Sequence, residues 1–319
     1  MVVVASVTAR QLLRALLLVQ LAAAGLAGYA IARALHAGFI TGVLAGAIAL
    51  VLVRLAISAN NFRMSARAAS VTPFEHRINA RAALRLFGEE FAASMRFSSW
   101  SMPRALACSR VYDDASGPPV LLLHGYGCNS GYWVDLTPRL DAARISHATL
   151  DLAPVTGSID AYVPLVDEGV DALLAATGAA KVVIVAHSMG GLVARAWMRD
   201  HGVKRVARVV TIGTPHHGTS LATFGVGLNA QQMRRDGAWL QALAASEDAG
   251  TRALITSIYS HHDNIVAPQT SSELEGARNL AFGGVGHVAL GANPRILAAV
   301  MAEVGAVDAS GRAGTGAHS

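Results

Sequence analysis

The chain has 319 residues, 53% of them hydrophobic and only 15% charged, with a formal net charge of +5. Its two cysteines, Cys108 and Cys128, exclude a disulfide framework and leave too few thiols for a cysteine-based metal site. The positive excess is mostly arginine, which suits an anionic membrane surface, and no nucleic-acid partner is expected.

The first elements are apolar. Residues 15–32 carry no charge, and a second almost wholly apolar stretch covers 39–53. Each is close to the length of about 20 residues that a membrane-spanning helix needs. Ala24, Gly28 and Ala32 recur every four residues in the first stretch, as do Gly38, Gly42 and Gly46 in the second, a spacing that lets helices approach closely in lipid. The pattern predicts a transmembrane hairpin turning near His36 and Ala37. A signal peptide ending at Ala30-Ile31-Ala32 is the competing reading, against which stands the second apolar stretch that follows at once. Arginines flank both outer ends (Arg10 and Arg14, then Arg54, Arg63 and Arg67), so the positive-inside bias places both ends of the hairpin in the cytoplasm.

Residues 59–106 are richer in polar groups. Leu84, Phe87, Phe91 and Met95 fall on one helical face, with Arg77, Arg81 and Arg85 along another. Two readings stay open: a basic amphipathic helix at the lipid interface, or a helix laid on the domain that follows.

Strands and helices then alternate, with strands at 120–123, 147–151, 181–186, 207–213, 253–259 and 278–282. Helices are expected at 160–177, 189–201 and 293–305. Alternation of this kind implies a mostly parallel sheet covered on both sides. Residues 221–243 read either as a lid or acyl-chain wall, or as a plain connection with one helix. The tail from 306 is small and polar and is expected to lack order.

The chemistry sits where these strands end. The run Val182-Val183-Ile184-Val185-Ala186-His187-Ser188-Met189-Gly190-Gly191 breaks from a β-branched strand into a serine among small residues and then a helix. A serine hydroxyl is a poor nucleophile unless a sharp turn lifts its Oγ clear of the backbone and aims it at a base. The pattern is Ala-x-Ser-x-Gly, one methyl away from the glycine form. Upstream, Val120 to Leu123 runs into His124-Gly125-Tyr126-Gly127, where a second oxyanion donor belongs. Downstream, Asp263 follows a strand in Ser260-His261-His262-Asp263-Asn264, and His287 stands in Gly283-Gly284-Val285-Gly286-His287. Asp263 is the candidate acid and His287 the candidate base. The pairs His216-His217 and His261-His262 read as structural, because adjacent histidines in a strand-like segment point to opposite faces. His124 is expected to brace the oxyanion turn and is also a candidate substrate contact, with Phe224 and Met233.

Taken together, residues 107–305 resemble the α/β-hydrolase family and, within it, bacterial lipases and esterases. The resemblance rests on Leu-Leu-His-Gly-Tyr-Gly (122–127), Ala-His-Ser-Met-Gly-Gly (186–191), Thr-Ile-Gly-Thr-Pro-His-His-Gly-Thr (211–219), the Asp263 loop and Gly-His-Val (286–288). It implies an α/β-hydrolase fold, a Ser188-Asp263-His287 triad, and oxyanion donors at Tyr126 and Met189. It also implies acyl-ester chemistry with no cofactor and no metal. The expected organisation is a membrane hairpin at 1–58, an amphipathic linker at 59–106, a catalytic domain at 107–305 and a tail at 306–319. The expected function is a membrane-anchored serine hydrolase of carboxylic or lipid esters at the bacterial inner membrane, with its catalytic domain in the cytoplasm and its oligomeric state open. The alternatives are an acyltransferase or thioesterase using the same triad, a non-catalytic binding protein of the same fold, and a regulator of a transport assembly.

Overall fold

The computed structural model describes residues 7–115 and 117–307. Two long helices open the chain, α1 (Ala9–Ala34) and α2 (Phe39–Arg67). Thr8 and Gln11 cap the first reciprocally, its side chain accepting from the Gln11 N–H. The two helices cross at their small residues. A Cβ at Gly28 would fall on the Gly42 carbonyl, and one at Gly46 on the Ala24 carbonyl, so only glycine permits this separation. Away from the crossing their apolar side chains stay uncovered, with Leu26, Phe39 and Ile40 each more than two-thirds exposed. Both helices are long and apolar enough to cross a membrane.

The second helix does not stop where its apolar stretch ends. It continues unbroken past residue 58 to Arg67, so the boundary expected at 58/59 lies inside a helix. Helix α3 (Ala80–Arg96), N-capped by Asn79, passes through a π-helical turn at Phe97–Ser101 into the short α4 (Met102–Arg104). One side of this region packs against α2 and, through Glu90, against the chain at Val288 and Ala289. α3 buries Leu86, Glu90 and Ala93, while Phe87 lies 5.7 Å from Phe62 of α2 and Leu84 stays exposed. The hairpin is clamped to the same segment. Arg54 donates to Gln20 Oε1 (3.0 Å) and Ser99 Oγ (2.6 Å), and Arg14 donates to the Pro103 carbonyl (2.8 Å).

The remaining chain winds a seven-stranded sheet. In sequence the elements are β1 (Ser109–Arg110), β2 (Val120–Leu123), α5 (Thr137–Ala142), β3 (His147–Leu150), α6 (Val163–Thr177), β4 (Val182–His187), α7 (Met189–His201) and β5 (Val206–Ile212). They continue as α8 (Leu228–Gln232), α9 (Ala238–Ala245), α10 (Ala249–Ala253), β6 (Ile255–Ser260), β7 (Arg278–Phe282) and α11 (Pro294–Gly305). The strand order is β1-β3-β2-β4-β5-β6-β7, parallel except for β1.

The apolar runs of β2 and β4 follow from burial on both faces. Leu121, Leu123, Ile184 and Ala186 join one core with α6 and α7, whereas Val120, Leu122, Val183 and Val185 join the other with α11. Alternate residues thus serve opposite layers, so every position is apolar.

Local chemistry moves some expected ends. Residues 253 and 254 belong to the close of α10, whose N-cap Asp248 accepts from Thr251 N–H at 2.7 Å, so β6 starts at Ile255. The helix expected from 160 opens with a 3-10 turn at Asp160–Tyr162 and ends at Gly178, whose φ of 68° suits glycine. The segment 221–243 holds a 3-10 turn at Ser220–Phe224 and parts of two helices, α8 and α9, instead of one. The tail expected at 306–319 lies outside the described residues apart from Ala306, which caps α11, and Val307, which is buried.

Candidate active site

The candidate triad and the first oxyanion donor lie at the carboxyl ends of parallel strands: Tyr126 after β2, Ser188 after β4, Asp263 after β6 and His287 after β7. Ser188 occupies the turn between β4 and α7 with φ 52° and ψ −123°, a backbone state that a non-glycine residue rarely holds. Such strain persists because the surroundings fix it. The Ser188 N–H donates to the Ile212 carbonyl (2.9 Å), and its carbonyl accepts from Thr214 Oγ1 (2.9 Å) and Gly191 N–H (3.1 Å). The glycine two residues on is required by space, since a Cβ at Gly190 would lie 2.5 Å from the Leu123 carbonyl oxygen.

Asp263 and His287, far apart in sequence, meet. His287 Nδ1 is 2.7 Å from Asp263 Oδ2, with both side chains buried. The other carboxylate oxygen of Asp263 accepts from Ile265 N–H (2.8 Å) and Val266 N–H (2.7 Å), which fixes its orientation. The His287 ring lies 4.7 Å from the ring of His187, the residue before Ser188. Burial pushes the His287 imidazole towards lower pKa, but the facing Asp263 carboxylate outweighs it and the net shift is upward. His187, enclosed between Tyr132 and His287, goes the other way: burial, reinforced by the His287 charge, holds it well below the ordinary imidazole value and keeps it neutral.

The turn after β2 is braced by His124. Its Nδ1 is 2.9 Å from the Gly125 carbonyl oxygen, and its Nε2 accepts from Leu152 N–H at 2.9 Å. Both ring nitrogens are therefore occupied by backbone, and His124 does not line the cavity over Ser188. That cavity, of about 260 Å³, does include Tyr126, Phe224 and Met233. Tyr126 also holds the 221–243 segment, its hydroxyl donating to the Val226 carbonyl (2.8 Å) and accepting from Val226 N–H (3.1 Å). Among the described residues neither the Tyr126 nor the Met189 amide has a hydrogen-bond acceptor, which leaves both available to an anion.

Three of the four paired histidines contact neighbouring scaffold groups. His216 is buried beside the bidentate Arg195–Glu247 ion pair, accepting from Arg195 at 3.2 Å, with Thr211 Oγ1 on its other nitrogen. His261 lies 4.8 Å from His76 ring to ring, and His262 accepts from Gly284 N–H at 3.1 Å. Among the described residues no cluster of histidine, cysteine, aspartate and glutamate has the grouping to hold a metal ion.

Sequence reading missed three contributors. Glu90 of α3 is buried against the His287 loop, where its carboxylate accepts from Val288 N–H (3.1 Å) and Ala289 N–H (2.8 Å). Burial raises its carboxyl pKa, an effect those two amides oppose. Ser65 of α2 donates to the Asp263 carbonyl at 2.9 Å. Asn264 accepts from the His287 N–H at 2.9 Å, and of the three only this neighbour of Asp263 carried a local signal.

Comparison with known proteins adds to this geometry. A family model for the alpha/beta hydrolase fold matches residues 118–240. A triacylglycerol lipase of Burkholderia plantarii is 31% identical over 168 residues, 48% of this chain and 45% of that protein. A triacylglycerol lipase of Pseudarthrobacter phenanthrenivorans is 49% identical over 119 residues, 33% of this chain and 35% of that protein. The chain thus spans less than half the length of either relative. Among solved structures, a Bacillus licheniformis lipase in its mature form superposes with a TM-score of 0.54 at 18% identity, covering 62% of this chain and 97% of that one. Aspergillus fumigatus lipase B gives 0.53 at 20% identity, covering 61% of this chain and 53% of its own. These likenesses show the fold.

Proposed function

The chain carries an α/β-hydrolase domain, and from that premise we propose that it is a membrane-anchored serine hydrolase of carboxylic esters, its substrates lipid or acyl esters. The observation that carries this reading is the convergence of a strained Ser188 and a buried, hydrogen-bonded His287–Asp263 pair at one end of the sheet, beside an apolar cavity. Two triacylglycerol lipases among the relatives support the ester class.

In this mechanism Ser188 Oγ attacks the acyl carbonyl as His287 takes its proton. Asp263 holds the imidazole with Nδ1–H facing the carboxylate and stabilises the imidazolium that forms. The oxyanion receives the Tyr126 and Met189 N–H groups, each such donor lowering the barrier by about 3 kcal/mol. His287 returns the proton to the leaving alcohol. An acyl-enzyme on Ser188 remains, which water attacks by the same steps in reverse roles. If an alcohol outcompetes water at that stage, the site transfers the acyl group instead, and thioesters would be cleaved by the same atoms.

Helices α1 and α2 are the proposed anchor, with the arginine-flanked ends and the catalytic domain on the cytoplasmic face of a bacterial inner membrane. The test is hydrolysis of p-nitrophenyl esters of increasing chain length by the full chain in lipid vesicles, wild type beside Ser188→Ala. Turnover that vanishes with the serine supports the reading, and turnover that survives in Ser188→Ala removes it.

A further inference from the structure

The cavity over Ser188 is not built by the hydrolase domain alone. Asn61 and Met64, on the last turns of α2, are part of its wall. These turns are held against the catalytic loops by buried hydrogen bonds. Ser65 Oγ donates to the Asp263 carbonyl (2.9 Å) and accepts from Gln269 Nε2 (3.0 Å), while Ser70 N–H donates to Gln269 Oε1 (3.1 Å). The same helix, followed back towards its apolar half, borders two further cavities. One, of about 270 Å³, is lined by Asn61, Ile57 and Arg54 together with Leu13 of α1 and Met95 of α3. The next, of about 690 Å³, is lined by Arg54 and Leu50 with Leu17 and Leu21 of α1. Neighbouring cavities share a residue of α2, first Asn61 and then Arg54. Helix α2 thus borders all three cavities, from its uncovered apolar half to the one over the nucleophile.

We propose that α2 is a wall of the acyl-binding site, that the acyl chain it meets belongs to a lipid resident in the same bilayer as the hairpin, and that Met64 and Asn61 set which chains fit. This inference rests on the hydrolase reading of Ser188. A bilayer lipid is favoured over a soluble ester by continuity. The wall residues lie on the same unbroken helix as the apolar stretch, which ends at Val53, about 16.5 Å along the axis from Met64 at 1.5 Å per residue. The domain side of the cavity is apolar too, and Phe224 on its rim is 73% exposed.

The test uses the full chain in vesicles of phosphatidylcholine and phosphatidylglycerol, with Met64→Trp to fill the wall position and Leu52→Trp, on an uncovered part of the same helix, as control. In Met64→Trp the ratio of kcat/KM for p-nitrophenyl hexadecanoate to that for the butyrate is expected to fall roughly 10-fold or more, the discrimination that displacing one or two methylenes produces. Leu52→Trp keeps the wild-type ratio. A second measurement is independent of turnover: phosphatidylcholine with a diazirine near the end of one acyl chain is photolysed with Ser188→Ala protein. Crosslinks are expected in the α2 peptide holding residues 61–65, and Met64→Trp diminishes them. An unchanged chain-length ratio, or crosslinks confined to residues 39–53, would overturn the inference. Wild-type protein that hydrolyses no ester while its 61–65 peptide is crosslinked would instead refute the hydrolase reading and retain the lipid-lined wall.

Discussion

Ser188 is held at φ 52° by hydrogen bonds to Ile212, Thr214 and Gly191, a conformation with an intrinsic cost of order 1–3 kcal/mol that the fold maintains at this position. In the proposed mechanism His287 and Asp263 divide the remaining work unequally, and the division can be measured. His287→Ala removes the base and is expected to cut kcat by roughly 10⁶, whereas Asp263→Asn, which leaves an imidazole in place, is expected to cost roughly 10⁴. Equal losses for the two would contradict the assigned roles. The pH profile offers a second test. His287 faces Asp263, Glu90 and neutral His187; burial lowers its pKa, but the carboxylates raise it more, so it lies above the usual imidazole value of about 6.5. The stability contributed by the charged pair is complete below that unfolded value and is lost as pH rises through the raised folded one. Turnover by the proposed mechanism needs the neutral base and is expected to rise over the same window. Asp263→Asn should therefore move the acid limb of kcat/KM to lower pH, because burial then dominates; a limb that stays in place would argue that another group titrates.

At the scale of elements, α3 reaches the site from outside the sheet. Glu90 holds the amides of Val288 and Ala289, just after the base, and a Cβ at Gly286 would lie 2.6 Å from its carboxylate. Removing it in Glu90→Ala strands one buried and one half-buried N–H group, a loss on the order of 3 kcal/mol. The expected outcome is a lower melting temperature together with lower kcat, and a smaller loss on both counts in Glu90→Gln, which keeps one acceptor. Wild-type melting and turnover in Glu90→Ala would show that the His287 loop holds itself. Such partners were invisible to sequence reading for a physical reason. Strands β2, β4 and β5 announce themselves through local apolar runs, and Ser188 through the small residues its turn requires. Glu90 and Ser65 act on loops some 200 residues away in sequence, and neither helical periodicity nor composition encodes such a distance. The pattern of α3 was legible as amphipathic but not which side would be covered, because it has neighbours on two sides: Leu86, Glu90 and Ala93 are buried, while Phe91 and Met95 line a cavity beside the hairpin.

At the scale of the whole molecule, the hairpin and the α/β domain are joined by a single helix that begins at the uncovered Phe39 and Ile40 and, near its end, sets Ser65 on the Asp263 carbonyl. The turn near His36 and the crossing at Gly28, Gly42 and Gly46 were readable from spacing alone. The continuation of α2 beyond its apolar part was not, since residues 59–67 lose the hydrophobic signal while keeping the helix. If the arginine-flanked ends are cytoplasmic, a fluorescent reporter fused after Ser319 should be active, and an alkaline phosphatase fusion there inactive; the opposite pair of results would place the catalytic domain across the membrane. The reaction of Ser188 bears on the central claim most directly. The full chain in vesicles, treated with a fluorophosphonate and digested, is expected to carry one adduct on the peptide holding Ser188, with none in Ser188→Ala and a greatly slowed reaction in His287→Ala. Folded wild-type protein that takes no label, or label that persists at another residue in Ser188→Ala, would contradict the assignment of Ser188 as the nucleophile.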